Sequence, residues 1–358
     1  SMETTFYGVA LIISLLLCWS SWKSESSGQQ QTNQGPIVVF EPGSGGLSEL
    51  HWRGEKAVAS LSFAGKGEEQ TAWVQAGKRE RIEGPQTAPA GDDDDSASQA
   101  REPAKPVYGE PALRSFPGGK QVAELIERFK PLVALRKFND LDAATLSEMG
   151  LDDPASSLTV SSLSGKKLEL SIGDKAYGSS DTYALETGTA NVYLLSSKVL
   201  GALRSAEGRL MERNILGFDA MEASEVRLSA PGGSTRKLRH EGTHDEANAY
   251  WSDPDAPEQQ ESTDGFMKKL LNLRAIAYPL DTERISDDQV ERILRADFPG
   301  KPAAHIELGR VRDETRSKED EPAWDWHART QLTRDVWVKV SRNSGLELYD
   351  NLQKLLDP

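Results

Sequence analysis

Leu158–Asp174 reads LTVSSLSGKKLELSIGD, and this stretch decides the fold class. Apolar and polar side chains alternate on both sides of a central turn, which is the pattern of a β-hairpin with one buried face. Gly165 favours the tight turn because glycine has no Cβ. The stretch therefore predicts two antiparallel strands, and similar patterns recur along the chain.

Further strand patterns surround this hairpin, and two helical patterns accompany them. The helices are predicted at Gln121–Lys137, where apolar residues recur at helical spacing, and from Lys198 onward. The additional strands are predicted at Ile37–Phe40, Leu47–Trp52, Ala57–Phe63, Thr71–Val74, Thr182–Glu186 and Asn191–Leu195.

The second half of the chain repeats this layout. Three pairs of apolar residues, each separated by 178 positions, keep one register: Phe40 and Phe218, Leu50 and Leu228, Trp73 and Trp251. The later elements follow the same order, with a helix, three strands and a final helix predicted at Phe266–Ala277, His305–Leu308, Trp324–Arg329, Val336–Val340 and Leu346–Leu356. The pattern indicates an internal duplication.

The expected fold class is therefore α+β, internally duplicated, with mostly antiparallel sheets, packed helices and one N-terminal transmembrane helix. The expected domains are a transmembrane anchor at 1–23, a tether at 24–36, and α+β repeats at 37–210 and 211–358. Within the first repeat, residues 84–117 are rich in Pro, Gly, Ala and Asp. This composition predicts a disordered insert.

Phe6–Trp22 carries no charged side chain. As a helix it would be about 26 Å long, at the short end of what spans a bilayer. We expect a retained membrane anchor, with the body on the extracytoplasmic side, because a Ser- and Gln-rich tether follows without a basic cluster. A cleaved signal peptide, a lipoprotein signal ending at Cys18 and a buried core helix are the alternatives.

The composition excludes several functions. The chain has 358 residues and a net charge of -14, with Lys+Arg 42 against Asp+Glu 56. Such an acidic balance argues against nucleic acid as a partner, because phosphate binding needs clustered Lys and Arg. Cys18 is the single cysteine, so the body offers no disulfide, no cysteine zinc site and no cysteine nucleophile. We expect no cofactor.

Several short motifs resemble the bacterial domain of unknown function 4340. They are GLDDP at Gly150–Pro154, the hairpin at Leu158–Asp174, Tyr183, VYLLSS at Val192–Ser197 and RNILGFD at Arg213–Asp219. Members of that family resemble auxiliary subunits of gliding-motility-type ABC transporters. The resemblance implies a single-pass protein of the bacterial inner membrane with its bulk in the periplasm. It implies as partners an ABC-2-type permease, its ATPase subunit and other membrane subunits.

One catalytic motif is present, since His240 to His244 spells H-E-x-x-H. On a helix, this spacing places two histidines on one face as zinc ligands, with the glutamate as general base. Here the residues before His240 predict a strand, and Gly242 and Thr243 are poor helix formers. A zinc-dependent hydrolase using His240, Glu241 and His244 is therefore an alternative, and no catalytic or metal-binding residue is expected.

Trp324 and Trp326 are two positions apart in a predicted strand, so both indoles lie on one face. They form either a stacking platform for sugar rings or part of the core, and core packing is the preferred interpretation. An envelope glycan-binding protein is the second alternative. The expected function is a non-catalytic, membrane-anchored extracytoplasmic binding subunit of an ABC-2-type transporter.

Overall fold

The computed structural model describes residues 36–66, 69–82, 106–242, 248–258, 260–300, 304–318 and 322–356. Strands make up 44% of the structure and helices 21%, and the three sheets are antiparallel. The expected α+β class with a transmembrane helix is therefore wrong, and the protein is mainly β. The difference arises in two segments, where the structure has less helix and more strand than the sequence pattern predicts.

The predicted helix at Gln121–Lys137 is much shorter than expected. It ends at Glu127, and Leu132–Ala134 and Arg136–Phe138 are short strands. Pro131 explains the break, because proline has no amide hydrogen and its ring clashes with the preceding helical turn.

A long strand lies inside the segment predicted as a disordered insert. Val107–Pro117 pairs along its length with Thr71–Ile82, which itself extends well beyond the predicted Thr71–Val74. Residues 84–105 of the predicted insert lie outside the described residues.

No helix among the described residues is long and apolar enough to cross a membrane. The segment predicted as the anchor, Phe6–Trp22, and the tether as far as residue 35 lie outside that part of the chain.

The first half of the chain builds a nine-stranded sheet and a two-stranded one. The strands are β1 (Ile37–Phe40), β2 (Leu47–Arg53), β3 (Ala57–Ala64), β4 (Thr71–Ile82), β5 (Val107–Pro117), β6 (Leu132–Ala134), β7 (Arg136–Phe138), β8 (Ser156–Ser162), β9 (Lys167–Lys175), β10 (Thr182–Glu186) and β11 (Val192–Leu195). The large sheet has the order β5-β4-β3-β2-β8-β9-β10-β11-β7, and β1 pairs with β6. The hairpin predicted at Leu158–Asp174 is confirmed as β8 and β9, in which Leu158 faces Leu170.

The second half builds an eight-stranded sheet from β12 (Glu225–Ser229), β13 (Thr235–Glu241), β14 (Tyr250–Ser252), β15 (Ala275–Ala277), β16 (Glu291–Phe298), β17 (Ala304–Arg312), β18 (Trp324–Thr330) and β19 (Val338–Val340). Its order is β14-β13-β12-β16-β17-β18-β19-β15, which matches β4-β3-β2-β8-β9-β10-β11-β7 of the first sheet position by position. Ser62 pairs with Trp73 and His240 pairs with Trp251, so this ladder keeps the separation of 178 positions. A shared order of this kind is what a duplication would produce.

Short helices cover the sheets. They are α1 (Lys120–Glu127), α2 (Ala143–Glu148), α3 (Ser197–Arg204), α4 (Ala206–Arg209), α5 (Glu261–Leu271) and α6 (Arg342–Leu356). Helices α1, α3 and α4 pack against β3 and β4, whereas α5 and α6 pack against each other and against β14 and β18. The apolar core lies between each sheet and its helices, with Leu61 and Leu203 fully buried in the first half and Phe266 and Leu348 in the second.

The outer strands of the first sheet contact the second half. The carboxylate of Asp281 accepts hydrogen bonds from Gln75 Nε2 at 2.8 Å and from Ser115 Oγ at 2.9 Å. The Arg334 guanidinium lies 3.7 Å from the centroid of the Trp73 ring. These contacts hold β4 and β5 in place beside the helices that border the site described next.

Candidate functional site

The first two residues of the H-E-x-x-H motif lie on strand β13 rather than on a helix. His240 and Glu241 are consecutive in this strand, so their side chains point to opposite faces of the sheet. The His240 ring is buried and stacks on Trp251 at 4.4 Å between centroids, and its Nδ1 lies 2.9 Å from the carbonyl oxygen of Ala223. His244 lies outside the described residues. The histidine and glutamate therefore do not converge as metal ligand and base.

The two tryptophans of β18 are covered by other side chains. Trp326 is 2% exposed beneath α6, where a Cβ on Gly345 would lie 2.3 Å from its indole. The Arg310 guanidinium lies 4.1 Å above the ring of Trp324, and Glu291 binds that guanidinium at 2.7 and 3.0 Å. On the face of Trp324 that Arg310 covers, a sugar ring could stack only by displacing an ion-paired arginine, whereas Trp326 contributes to the core.

A serine, a histidine and a carboxylate adjoin on the exposed face of the first sheet. His51 Nδ1 lies 3.1 Å from Ser60 Oγ, and His51 Nε2 lies 3.2 Å from Glu49 Oε2. The backbone amides around them are engaged in the ladders of β2 with β3 and β8. Acyl transfer also needs free N–H donors aimed at the developing oxyanion, and a paired sheet does not supply them. These three side chains form a polar contact on the surface of the sheet.

A cavity of about 260 Å³ lies at the end of β2, and we call it the Arg204 pocket. It is bordered by the β2–β3 turn, the first residue of β8 and the last residue of α3. Its polar and aromatic lining consists of Trp52, Glu55, Lys56, Ser156 and Arg204.

The turn after Trp52 shapes the pocket. Trp52 follows Leu50 on the buried face of β2, and the amide of Gly54 donates to the carbonyl of Ala57 at 2.8 Å to close the turn. A Cβ on Gly54 would lie 3.0 Å from Trp52 Nε1. Glycine at this position therefore avoids close contact with the indole nitrogen and with the carbonyl oxygen of Ala57, which a Cβ would also approach to 3.0 Å.

The indole N–H of Trp52 is a buried donor without an acceptor. The side chain is 4% exposed, and Nε1 makes no hydrogen bond with any part of the chain that the structure describes. Indole offers one donor and no acceptor, so an acceptor atom in the cavity is what it lacks.

Arg204 brings a cation to the same cavity. Its guanidinium carbon lies 5.8 Å from the centroid of the Trp52 ring, and Nη2 donates to Thr182 Oγ1 at 3.3 Å. Burial lowers the pKa of the Arg204 guanidinium because it disfavours the charged form. No carboxylate in the described ranges forms an ion pair with it, and the nearby Glu207 is engaged by Arg114 at 2.9 Å.

A second cavity of about 150 Å³ adjoins the first and shares Ala57 and Arg204 with it. It runs between β3, β4 and α4, and Val58 and Ala76 give it an apolar wall. The two cavities together offer donors at one end and apolar surface at the other.

In a comparison with family models, residues 119–293 match the domain of unknown function DUF4340. This part of the chain belongs to the DUF4340 family. Searches of curated proteins and of solved structures give no significant match to the chain. The family resemblance inferred from the sequence motifs is confirmed.

The DUF4340 region supplies only part of the pocket. Ser156 and Arg204 lie within residues 119–293, whereas Trp52, Gly54 and Lys56 precede it. The region also begins just before α1 and ends within β16, so it extends across both large sheets. A functional pocket at this place would depend on sequence outside the matched region.

The residues of the Arg204 pocket carry almost no signal in the sequence. Trp52 alternates with Leu50 in a predicted strand and is typical of a core residue, and Arg204 is typical of the solvated end of a helix. Gly54 in the turn is the one local signal, and glycine is common in turns. No pattern in the sequence brings Arg204 next to Trp52.

Proposed function

We propose that this protein is a non-catalytic binding subunit that holds a small ligand in the Arg204 pocket. The observation that carries the proposal is the Trp52 indole N–H, which is buried beside a cavity and has no acceptor among the described residues. A buried donor left without an acceptor destabilises a protein by about 1–3 kcal/mol. A ligand that brings the acceptor removes this penalty.

The size of the two cavities supports a small ligand. Ligand pockets usually measure roughly 300–1,000 Å³ and combine apolar walls with a few polar groups. The pair of about 260 and 150 Å³ has this character, with the Trp52 ring, Val58 and Ala76 as apolar surface. We expect a ligand near the size of one substituted aromatic ring.

Binding can be measured on Trp52 itself. Each of the eight tryptophans gives one indole resonance in a ¹H–¹⁵N spectrum, and Trp52→Phe identifies the resonance of Trp52. The probes are benzoate, phenyl phosphate, benzamide and benzylamine. We expect at least one of these probes to shift the Trp52 resonance until further addition of the probe causes no further shift. The proposal fails if none of them does.

Gly54→Ala tests whether the probe enters the pocket. The added methyl group would lie 3.0 Å from both Trp52 Nε1 and the carbonyl oxygen of Ala57 and would alter the lining of the pocket beside the indole, so we expect weaker binding. Gly201→Ala in α3 is the matched control, because a Cβ there has no neighbour within 4 Å. Equal binding by both variants would place the probe elsewhere.

The partner proposal rests on the family resemblance. Auxiliary subunits of ABC-2-type transporters act beside a permease and an ATPase, and we propose the same partners for this chain. The test is purification of the native protein in mild detergent, followed by mass spectrometry. We expect the permease and ATPase to be recovered with it, and recovery of the protein alone would contradict this proposal without affecting the pocket.

A further inference from the structure

We propose that the ligand of the Arg204 pocket is an organic anion whose carboxylate or phosphate oxygens bind the Arg204 guanidinium and the Trp52 indole N–H. This inference rests on the proposed binding function and specifies the chemical class of the ligand. It follows from the charges and hydrogen-bond donors that face the cavity.

Arg204 differs from four other half-buried arginines of the molecule. Arg114, Arg236, Arg310 and Arg329 each contact a carboxylate, at distances between 2.6 and 3.0 Å. Arg204 has only the hydroxyl of Thr182 within the part of the chain that the structure describes. A guanidinium presents five N–H donors in a planar fork that fits a carboxylate or phosphate, so most of its donors are available to a ligand.

The indole N–H of Trp52 is the second hydrogen-bond donor at the pocket. The Trp52 N–H needs an acceptor, and an ionised carboxylate or phosphate is an acceptor at every oxygen. Hydrogen bonds to ionised groups are roughly twice as strong as neutral ones. One anionic group within reach of both donors would satisfy the indole and neutralise the guanidinium together.

The remaining charges at the pocket are Lys56 and Glu55. Lys56 is exposed, and together with Arg204 it gives the lining two cations against the one carboxylate of Glu55. The whole chain carries a net charge of -14, which repels anions at long range. Recognition therefore depends on these local contacts, and we expect a dissociation constant of about 1 mM for a simple probe.

The body of the ligand would lie on apolar surface. The Trp52 ring borders the first cavity, and Ala57 leads into the second, where Val58 and Ala76 form the wall. An anion with an aromatic or aliphatic body matches this arrangement better than inorganic phosphate alone. The source of the anion, an organic acid or a phosphate ester, is distinguished by the probes below.

The experiment compares isosteric probes on the wild-type protein in a buffer free of chloride. Benzoate and phenyl phosphate should move the Trp52 indole resonance, whereas benzamide and benzylamine should bind at least about tenfold more weakly because they lack the anionic group. The better of the two anions indicates whether the pocket takes a carboxylate or a phosphate.

Arg204→Gln tests the guanidinium. We expect it to weaken binding of both anions by about tenfold or more. Arg227→Gln is the matched control, because Arg227 lies on the exposed face of β12 in the second sheet, and it should leave the affinity unchanged.

The outcomes separate the two proposals. If benzamide binds as tightly as benzoate, or if Arg204→Gln binds the anions like the wild type, the anion inference is overturned and the binding function stands. If none of the four probes moves the Trp52 resonance, both proposals are overturned. The comparison of benzoate with benzamide uses wild-type protein, so it decides the inference even if Arg204→Gln does not fold.

Discussion

Two charged side chains, one in each half of the molecule, differ in whether the chain itself compensates their charge. On β17, Glu307 is 3% exposed, and its carboxylate accepts hydrogen bonds from Arg295 at 2.5 Å and from Arg329 at 2.8 and 3.0 Å. At the end of α3, Arg204 is half-buried and has no carboxylate partner among the described residues. The first charge is compensated within the chain, and the second is not compensated by any carboxylate that the structure describes.

This difference distinguishes a charged side chain that stabilises the fold from one that is available to bind a ligand. Removing one member of a buried, hydrogen-bonded ion pair leaves the other uncompensated, so such a group is needed for stability. A partly desolvated cation without a counter-ion contributes little to folding, and it binds an anion more strongly than a fully hydrated cation would. Substitutions at the two kinds of site should therefore differ in their effect on stability.

Glu307→Gln should destabilise the protein most. The amide keeps the size of the side chain but removes the charge that Arg295 and Arg329 share, so we expect the free energy of unfolding to fall by about 2–4 kcal/mol. Urea titration followed by tryptophan fluorescence measures it. The control is Glu291→Gln, which breaks a more exposed pair with Arg310 and should cost less than about 1 kcal/mol. Equal losses for the two variants would contradict the distinction.

Asp281→Asn should have a smaller effect that depends on pH. Burial raises the pKa of this carboxyl, but the hydrogen bonds from Gln75, Ser115 and Arg284 outweigh burial and lower the pKa below its ordinary value of 3.8. The folded state therefore binds the proton less readily than the unfolded chain. The carboxylate stabilises the protein above about pH 4, and this contribution is lost as the pH falls further.

We expect Asp281→Asn to lower the free energy of unfolding by about 1–2 kcal/mol at neutral pH. Urea titrations at several pH values should show a shallower decline for the variant than for the wild type between about pH 5 and pH 3. Parallel curves for the two proteins would show that this junction between the halves does not depend on the charge of Asp281.

His327 has another buried nitrogen without a hydrogen-bond partner among the described residues, but it borders neither of the two cavities. It is 5% exposed, and its Nδ1 makes no hydrogen bond within the described ranges. Burial lowers the pKa of the imidazole below 6.5, so the unfolded chain takes up a proton first and stability falls as the pH drops below about 6.5.

His327→Gln should flatten the stability profile between about pH 7 and pH 5, with a difference of up to about 1 kcal/mol. Urea titration at each pH measures it, and His51→Gln, on the exposed face of the first sheet, is the control. An unchanged slope in His327→Gln would mean that the protein tolerates the imidazolium at this position.

Arg204→Gln should change stability least. The variant loses a hydrogen bond of 3.3 Å to Thr182 and loses a partly desolvated cation, and these effects oppose each other. We expect the free energy of unfolding to change by less than about 1 kcal/mol, in contrast to Glu307→Gln. A loss above about 2 kcal/mol would place Arg204 among the structural charges.

The regular parts of the sheets could be predicted because their pattern is local. The hairpin at Leu158–Asp174, the strand Thr182–Glu186 and the helix beginning near Lys198 agree with the structure. In each, the period of the apolar residues directly reflects which face is buried.

The elements that prediction missed depend on partners distant in the sequence. Val107–Pro117 contains Gly109 and Pro111, which disfavour a strand, and it is held by pairing with β4. Leu132–Ala134 continues an apolar spacing typical of a helix. However, Pro131 prevents the helix from continuing, and these residues form strand β6, which pairs with β1.

The sequence alone determined that the body is acidic and free of cysteine, that it is rich in antiparallel strands, and that it resembles the DUF4340 family. These properties follow from composition, short-range alternation and contiguous motifs. The pocket was decided by the tertiary structure. Trp52, Gly54 and Arg204 meet only when α3 packs against the first sheet. Whether an arginine has a carboxylate partner depends on its neighbours in space, and these are set by chain packing rather than by adjacency in the sequence.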